Sequence, residues 1–194
     1  EELRSINNAG RHLLSLVSDV LYMPKIDAED IDVRLSPFDL DACLEEVSAT
    51  CLKLISQNGN SFALEKPKEL GMIDTDEIRL RQILINLLGN AGKFTKNGKV
   101  VLRALRVNEG NREQVVIAVQ DNGIGIPPEA IPNLFTNFNQ VDANLYGGTG
   151  LGLAVSQRLA ELLNGDISVE SRLSRGSEFT LRLPAVAQAI PLAA

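Results

Sequence analysis

Residues 121–153 read DNGIGIPPEAIPNLFTNFNQVDANLYGGTGLGL, and the rest of the chain is organised around them. The run Val115–Gln120, strand-like in composition, delivers Asp121 into a glycine turn at Gly123 and Gly125. A second cluster, Gly147, Gly148, Gly150 and Gly152, opens a helix beginning near Thr149 or Leu151. Glycines let backbone amides come close to a ligand, and a helix N-terminus turns unpaired N–H groups toward an anion. A carboxylate on a rigid turn, followed by a phosphate-sized nest of amides, suits a nucleotide: the carboxylate accepts from a base amine and the nest holds phosphates. Either half alone is more often an ordinary tight turn than a site. Their order carries the case, together with a third motif upstream.

That third motif is a predicted helix from Asp76 to about Phe94. Leu80, Ile83, Leu84, Leu87, Ala91 and Phe94 make its apolar face. Beside this face runs a polar stripe, Arg79, Gln82, Asn86, Asn90 and Lys93, whose members fall within about 80° of one another. Gly89 and Gly92 flank the stripe, at a cost of ~1 kcal/mol each relative to alanine. A solvated face would favour Glu, Lys and Arg over two asparagines in register. A close-packed backbone or a ligand explains the stripe better.

Composition bounds the remaining possibilities. With 194 residues, 44% hydrophobic and 23% charged, the chain reads as a soluble globular domain with an appendage. A net charge of −6 argues against a broad nucleic-acid surface, so a phosphate ligand must be met by local positive groups. No run reaches membrane-spanning length and no signal peptide is evident, which suits a cytoplasmic location, although a parent protein could be membrane-anchored. The sequence opens inside a periodic pattern, as a piece of a longer protein would. Cys43 and Cys51, on one predicted helix, would have Cα atoms ~12 Å apart, too far for a disulfide.

In chain order, residues 3–23 carry a heptad seam, Leu3, Ile6, Gly10, Leu13, Val17 and Val20, which predicts a bundle or coiled-coil helix ended by Pro24. His12 lies off the seam and reads as a polar residue beside an interface. Leu35–Phe38 predicts a short strand. Asp39 or Asp41 caps a helix to about Gln57 with Leu40, Leu44, Val47, Cys51, Leu54 and Ile55 on one face. Phe62–Leu64 and Met72-Ile73 read as strands. Residues 99–107 and 114–120 form a hairpin around Asn108–Asn111. After the helix Leu151–Leu163, stopped by Asn164-Gly165, Asp166–Glu170 and Phe179–Leu183 pair around Ser174–Gly176, with Pro184 ending the last strand. The pattern predicts an α/β two-layer sandwich, a mixed sheet covered by helices on one face, preceded by one long helix.

Taken together, NLLGNAGKFT (86–95), DNGIGI (121–126), LFTNFNQVD (134–142), GGTGLGLAVSQRL (147–159) and RGSEFTLRLP (175–184) resemble the ATP-binding catalytic domain of sensor histidine kinases, within the gyrase, heat-shock chaperone, histidine kinase and MutL ATPase superfamily. The resemblance covers about residues 36–184 and implies the Bergerat-type ATP-binding fold. It divides the chain into residues 1–34, similar to the second helix of a dimerisation and phosphoacceptor hairpin plus linker, residues 35–184 as the ATP-binding domain, and a tail at 185–194. It implies ATP and Mg²⁺ as cofactors. Asn90 would ligate the metal, and Asn86, where gyrase-type relatives have a catalytic glutamate, would act with Lys93 at the phosphates. Asp121 would accept from the adenine amine, with Gly123 and Gly125 shaping the base pocket. Phe135 and Phe138 would anchor the ATP lid. Gly148, Gly150, Leu151 and Gly152 would contact phosphates, and Thr180 would lie in the strand flooring the adenine pocket. Implied partners are ATP or ADP, the phosphoacceptor helix of the same kinase, a response regulator receiver domain and a second copy of the chain through the N-terminal helix.

The sequence departs from the family in two places. His12 is followed by Leu13-Leu14-Ser15 and does not match a phosphoacceptor motif, so the isolated chain is expected not to label itself. Between Gln140 and Gly147 stand only the six residues VDANLY, with no basic residue. Either the lid is clipped in this protein or residues are missing from the sequence. Alternatives are a nucleotide-binding pseudokinase that signals by conformation, a gyrase-like or MutL-like ATPase, disfavoured by Asn86, and a dimerisation scaffold whose heptad helix is the functional part. A dinucleotide-binding fold is disfavoured because the glycine cluster follows a loop.

Overall fold

The computed structural model describes residues 32–110, 112–136 and 150–186. The heptad helix with His12, and residues 137–149 with Phe138 and Gly148, lie outside the described residues, as does the tail from 187.

Polar caps set the helix starts. Helix α1, Leu40–Ser56, begins where the Asp39 carboxylate accepts from the amides of Asp41 at 2.8 Å and Ala42 at 3.3 Å. Asp39 is therefore the cap, and Asp41 does something else. Its Oδ1 accepts from Lys66 Nζ at 2.6 Å and its Oδ2 from the amides of Leu70 at 2.8 Å and Gly71 at 3.1 Å, which ties the loop before the third strand to α1. Helix α2, Glu77–Phe94, starts with Asp76 Oδ1 accepting from the Arg79 amide at 3.1 Å. Helix α3, Gly152–Leu162, ends through Gly165, whose amide reaches back to the Ala160 carbonyl at 2.8 Å, with Asn164 at φ 61°.

Among the described residues the strands are β1 (Ser36–Asp39), β2 (Ser61–Glu65), β3 (Met72–Thr75), β4 (Lys99–Glu109), β5 (Arg112–Asp121), β6 (Asp166–Arg172) and β7 (Gly176–Pro184). β1 and β3 form a small antiparallel pair. The main sheet runs β2-β4-β5-β7-β6; β2 and β4 are parallel and the other neighbours antiparallel, so the sheet is mixed. The central hairpin is longer than the sequence predicts. Asn108 and Glu109 stay paired, with Glu113 and Arg112, and the turn tightens to the residues around Gly110.

Alternate residues of the strands turn toward the helices, although Val101, Val116 and Ala118 on the other face are buried too. Val100, Leu102 and Ala104 of β4, Val115, Ile117 and Val119 of β5, and Phe179, Leu181 and Leu183 of β7 are buried in one cluster with all three helices. From α1 come Leu40, Leu44, Val47, Cys51 and Ile55, and from α2 Leu80, Ile83, Leu84, Leu87 and Ala91. The expected two-layer sandwich is what forms. Leu54 departs from the expected apolar face: it is 47% exposed, in the last turn of α1, where the helix borders an open groove. Phe94 is only half-buried. Both cysteines are buried and free.

Candidate nucleotide-binding site

The polar stripe of α2 becomes the wall of a cavity of about 800 Å³. Gln82, Asn86, Asn90 and Lys93 line it from α2, and Gly152, Val155 and Ser156 line it from α3. Leu54, Gln57 and Asn58 close it from the end of α1. Arg79, the fifth residue of the stripe, is not in this lining; its guanidinium reaches Gln82 Oε1 at 3.3 Å.

Two helices meet at Asn86. Its Nδ2 donates to Ser156 Oγ at 2.8 Å, joining α2 to α3. Gly152 makes this approach possible: a Cβ there would sit 2.5 Å from Asn86 Oδ1, closer than real carbon–oxygen contacts allow. The first amides of α3, beginning at this point, have no partner within the helix. Gly150, at φ +71°, and the fully buried Leu151 bring the chain into α3, so Leu151 can offer a ligand only its backbone. Lys93 Nζ lies 4.9 Å from the centroid of the Phe94 ring, and burial lowers the pKa of its ammonium. An arriving phosphate would act in the opposite direction.

Asp121 does not line this cavity. It stands just beyond the C-terminal end of α2, at the end of β5, paired with Val100 and Ser177 and 8% exposed. Its Oδ1 accepts from the Gly123 amide at 2.8 Å and from Thr95 Oγ1 at 3.4 Å. Burial pushes its carboxyl above the ordinary value, against the pull of the Gly123 and Ser177 amides and the Thr95 hydroxyl. A carboxylate has about four acceptor positions, so capacity remains for a ligand amine. The loop that follows is pinned to α2 by the Ile124 amide, which donates to the Phe94 carbonyl at 3.2 Å. Gly125, at φ +67°, passes so close to β6 that a Cβ would meet the Arg172 carbonyl oxygen at 2.0 Å. Phe135 packs edge-on against Phe179, with ring centroids 6.5 Å apart and planes at 85°, which fixes the chain where the expected lid begins.

Thr180 lies in β7, the strand expected to floor the adenine pocket. Strand alternation turns Phe179 and Leu181 to the helices and Thr180 to the opposite face, in a row with Ser168, Ala118 and Arg103. The polar residue of β7 on Asp121's side is Ser177, 8% exposed, with its Oγ 2.9 Å from Ser171 Oγ. Ser171 Oγ also accepts from the Ile126 amide at 2.8 Å, so this pair of hydroxyls holds the glycine turn. Parity in the sequence already favoured Ser177, because it lies an even step from the apolar Phe179 and Leu181. Thr95 and Ser156 carried no comparable signal, since each is defined by a partner distant in sequence.

Among the described residues, a mixed sheet under three helices, with an amide-rich helix face on a cavity and a buried carboxylate at the helix end, defines a nucleotide-binding domain. The chain belongs to the histidine kinase-, DNA gyrase B- and HSP90-like ATPase family, which its residues 75–187 match. It is similar to the circadian input-output histidine kinase CikA of Synechococcus elongatus, 38% identical over 95% of this chain and 25% of the relative. It is also similar to hybrid signal transduction histidine kinase L of Dictyostelium discoideum, 38% identical over 92% of this chain and 11% of the relative. Among solved structures, full-length ShkA in complex with AMPPNP superposes with a TM-score of 0.84 at 37% identity, over 98% of this chain and 40% of that one. The chain thus spans a quarter or less of these curated relatives. Among the described residues no helix is long and apolar enough to cross a membrane.

Proposed function

We propose that this chain is the kinase core of a sensor histidine kinase, hybrid or not, which holds Mg-ATP and passes its γ-phosphate to a histidine outside this chain. The observation that carries the reading is the placement of Asn86, Asn90 and Lys93 along one cavity wall, with Asp121 buried at the end of the same helix. In this reading Asp121 accepts from the adenine amine, Lys93 meets phosphate, and the start of α3 offers amides through Gly150, Leu151 and Gly152.

The donor set suits Mg²⁺. Among the described residues no group of three or more His, Cys, Asp or Glu side chains could cage a metal. Mg²⁺ prefers few protein ligands, keeping waters and phosphate oxygens around it, and the amide oxygen of Asn90 can supply one. When bound, the metal would neutralise phosphate charge. Asn86 is an amide, so no strong base is aimed at water from its position, which favours transfer over hydrolysis. The residues' work is then to orient the nucleotide and balance its charge.

The test is calorimetric titration with AMPPNP and Mg²⁺, followed by incubation with labelled ATP and a separately supplied dimeric phosphoacceptor domain. Binding with acid-labile label on the added domain is the expected result. Absence of binding sinks the reading, and binding without transfer makes the chain a pseudokinase. The phosphoacceptor helix, a receiver domain, a second copy of the chain and a cytoplasmic setting belong to the same proposal for the whole protein.

A further inference from the structure

We infer that Gln82 is a further phosphate-binding residue of the groove, its carboxamide NH₂ donating to the terminal phosphate of a nucleoside triphosphate; the inference rests on the nucleotide reading above. That reading uses Asn86, Asn90 and Lys93 of the polar stripe and leaves Gln82 and Arg79 without a role. Gln82 lines the same cavity and stands one turn before Asn86, about 6 Å further along α2. Arg79 is outside the lining, but it orients Gln82: its guanidinium Nη1 lies 3.3 Å from Gln82 Oε1. A guanidinium has donors and no acceptor, so only the oxygen of the carboxamide can face it, and the NH₂ end is turned away. Among the described residues that NH₂ has no partner, and it is not closed off from solvent.

Position decides which phosphate it meets. Asp121 stands at the C-terminal end of α2, where Thr95 reaches its carboxylate and the Ile124 amide binds the Phe94 carbonyl. With the base there, a nucleotide laid along the stripe runs from Lys93 past Asn90 and Asn86 toward Gln82. The last phosphate of a triphosphate arrives at Gln82, and a diphosphate stops short of it. The neighbours at this end of the groove leave the task to Gln82. Ile78 and Ile85 offer no hydrogen bonds, and the Arg81 guanidinium is taken by Glu77 at 2.6 Å and Glu46 at 2.7 Å. A neutral donor orients the terminal phosphate without the stronger grip of a cation, which suits a group that has to leave.

The readout is the ratio of the ADP to the AMPPNP dissociation constant, both measured with Mg²⁺. Gln82→Ala should lower this ratio about tenfold, the low end for a hydrogen bond to a charged group, with ADP affinity unchanged. Gln82→Met has nearly the same length and no donor; it should match Gln82→Ala, and it keeps the comparison available should alanine disturb α2. Gln82→Glu puts an acceptor where the donor was and should lower the ratio further than either. A residue that only braced α2 would shift ADP and AMPPNP alike. A ratio unchanged by Gln82→Ala and Gln82→Met overturns the proposal, as do equal losses for the two nucleotides or a ratio in Gln82→Glu no lower than in Gln82→Met. A wild-type chain that binds neither nucleotide takes the nucleotide reading down with it; a wild-type chain that binds both, with an unchanged ratio in the variants, sinks only the role of Gln82.

Discussion

Asn60 Nδ2 donates to the Thr95 carbonyl at 2.9 Å, and the same Thr95 donates its hydroxyl to the Asp121 carboxylate at 3.4 Å. Asn60 also reaches the Gly92 carbonyl at 3.1 Å and accepts from the Gly98 amide at 3.0 Å. At 6% exposure, it satisfies backbone groups at the end of α2 that water cannot easily reach. Asn60→Ala leaves the Thr95 carbonyl and the Gly98 amide without this partner, at a cost of ~1–3 kcal/mol. Urea melts should show a lower midpoint with an unchanged slope. A midpoint within error of the wild type would mean that the end of α2 is held by other contacts.

Asn90→Ala should remove most of the Mg²⁺ contribution to ADP affinity while sparing metal-free binding. Asn90 faces the cavity between Asn86 and Lys93, and its side chain offers an oxygen that alanine lacks. Titrations with and without Mg²⁺ check this, and a Mg²⁺ effect as large in the variant as in the wild type would remove Asn90 as ligand.

Asp121→Asn should weaken ADP by ~1.5–3 kcal/mol, the worth of a charge-assisted bond in a desolvated pocket. The pH dependence has a definite sign. Burial raises the Asp121 pKa above 3.8, so the folded protein holds this proton more tightly than the unfolded chain does. Its contribution to stability is therefore fully present below 3.8 and lost as pH rises through the raised value. Ligand binding runs the other way, because the adenine amine needs the ionised form. As pH falls, affinity relative to Asp121→Asn should decline before the ordinary carboxylate range is reached. A wild-type-to-variant affinity ratio that stays flat down to that range would take Asp121 out of the base pocket.

The sequence was most readable where one residue announces its own environment. Asp76, Gly165 and the alternation of β4 and β5 place caps, a stop and a sheet face by local rules, and the structure follows them. The stripe Asn86, Asn90 and Lys93 was legible as a stripe because helical periodicity alone aligns it. Local rules could not say that Asp41 would leave the cap to Asp39 and tie down Leu70 and Gly71 instead, since that choice depends on a loop almost thirty residues away. The same limit hid Ser156 and Thr95, whose roles exist only once α3 and β5 have packed on α2. Thr180 shows a further limit: a motif match locates β7, and only counting by two from Leu181 tells which of its residues turn toward the helices.

Cys43 offers a check on the core that does not depend on any ligand. It is 1% exposed on α1, and burial, with Glu77 and Glu46 nearby and Arg81 opposing them, pushes its thiol up to about 11 from 9.0. The folded state therefore keeps the proton that an unfolded chain would release. The stability linked to this group is fully present below pH 9.0 and is lost as pH climbs through about 11. Such a shift corresponds to ~2–3 kcal/mol across the window. Native protein at pH 8 should resist a disulfide-exchange reagent at both Cys43 and Cys51, with modification proceeding only as fast as the chain opens. Cys43→Ala should be less stable near neutrality, through the small cavity it leaves, yet lose less stability than the wild type between pH 9 and 11. Rapid native-state labelling at Cys43, or parallel pH profiles for the two proteins, would show that α1 does not seal this part of the core.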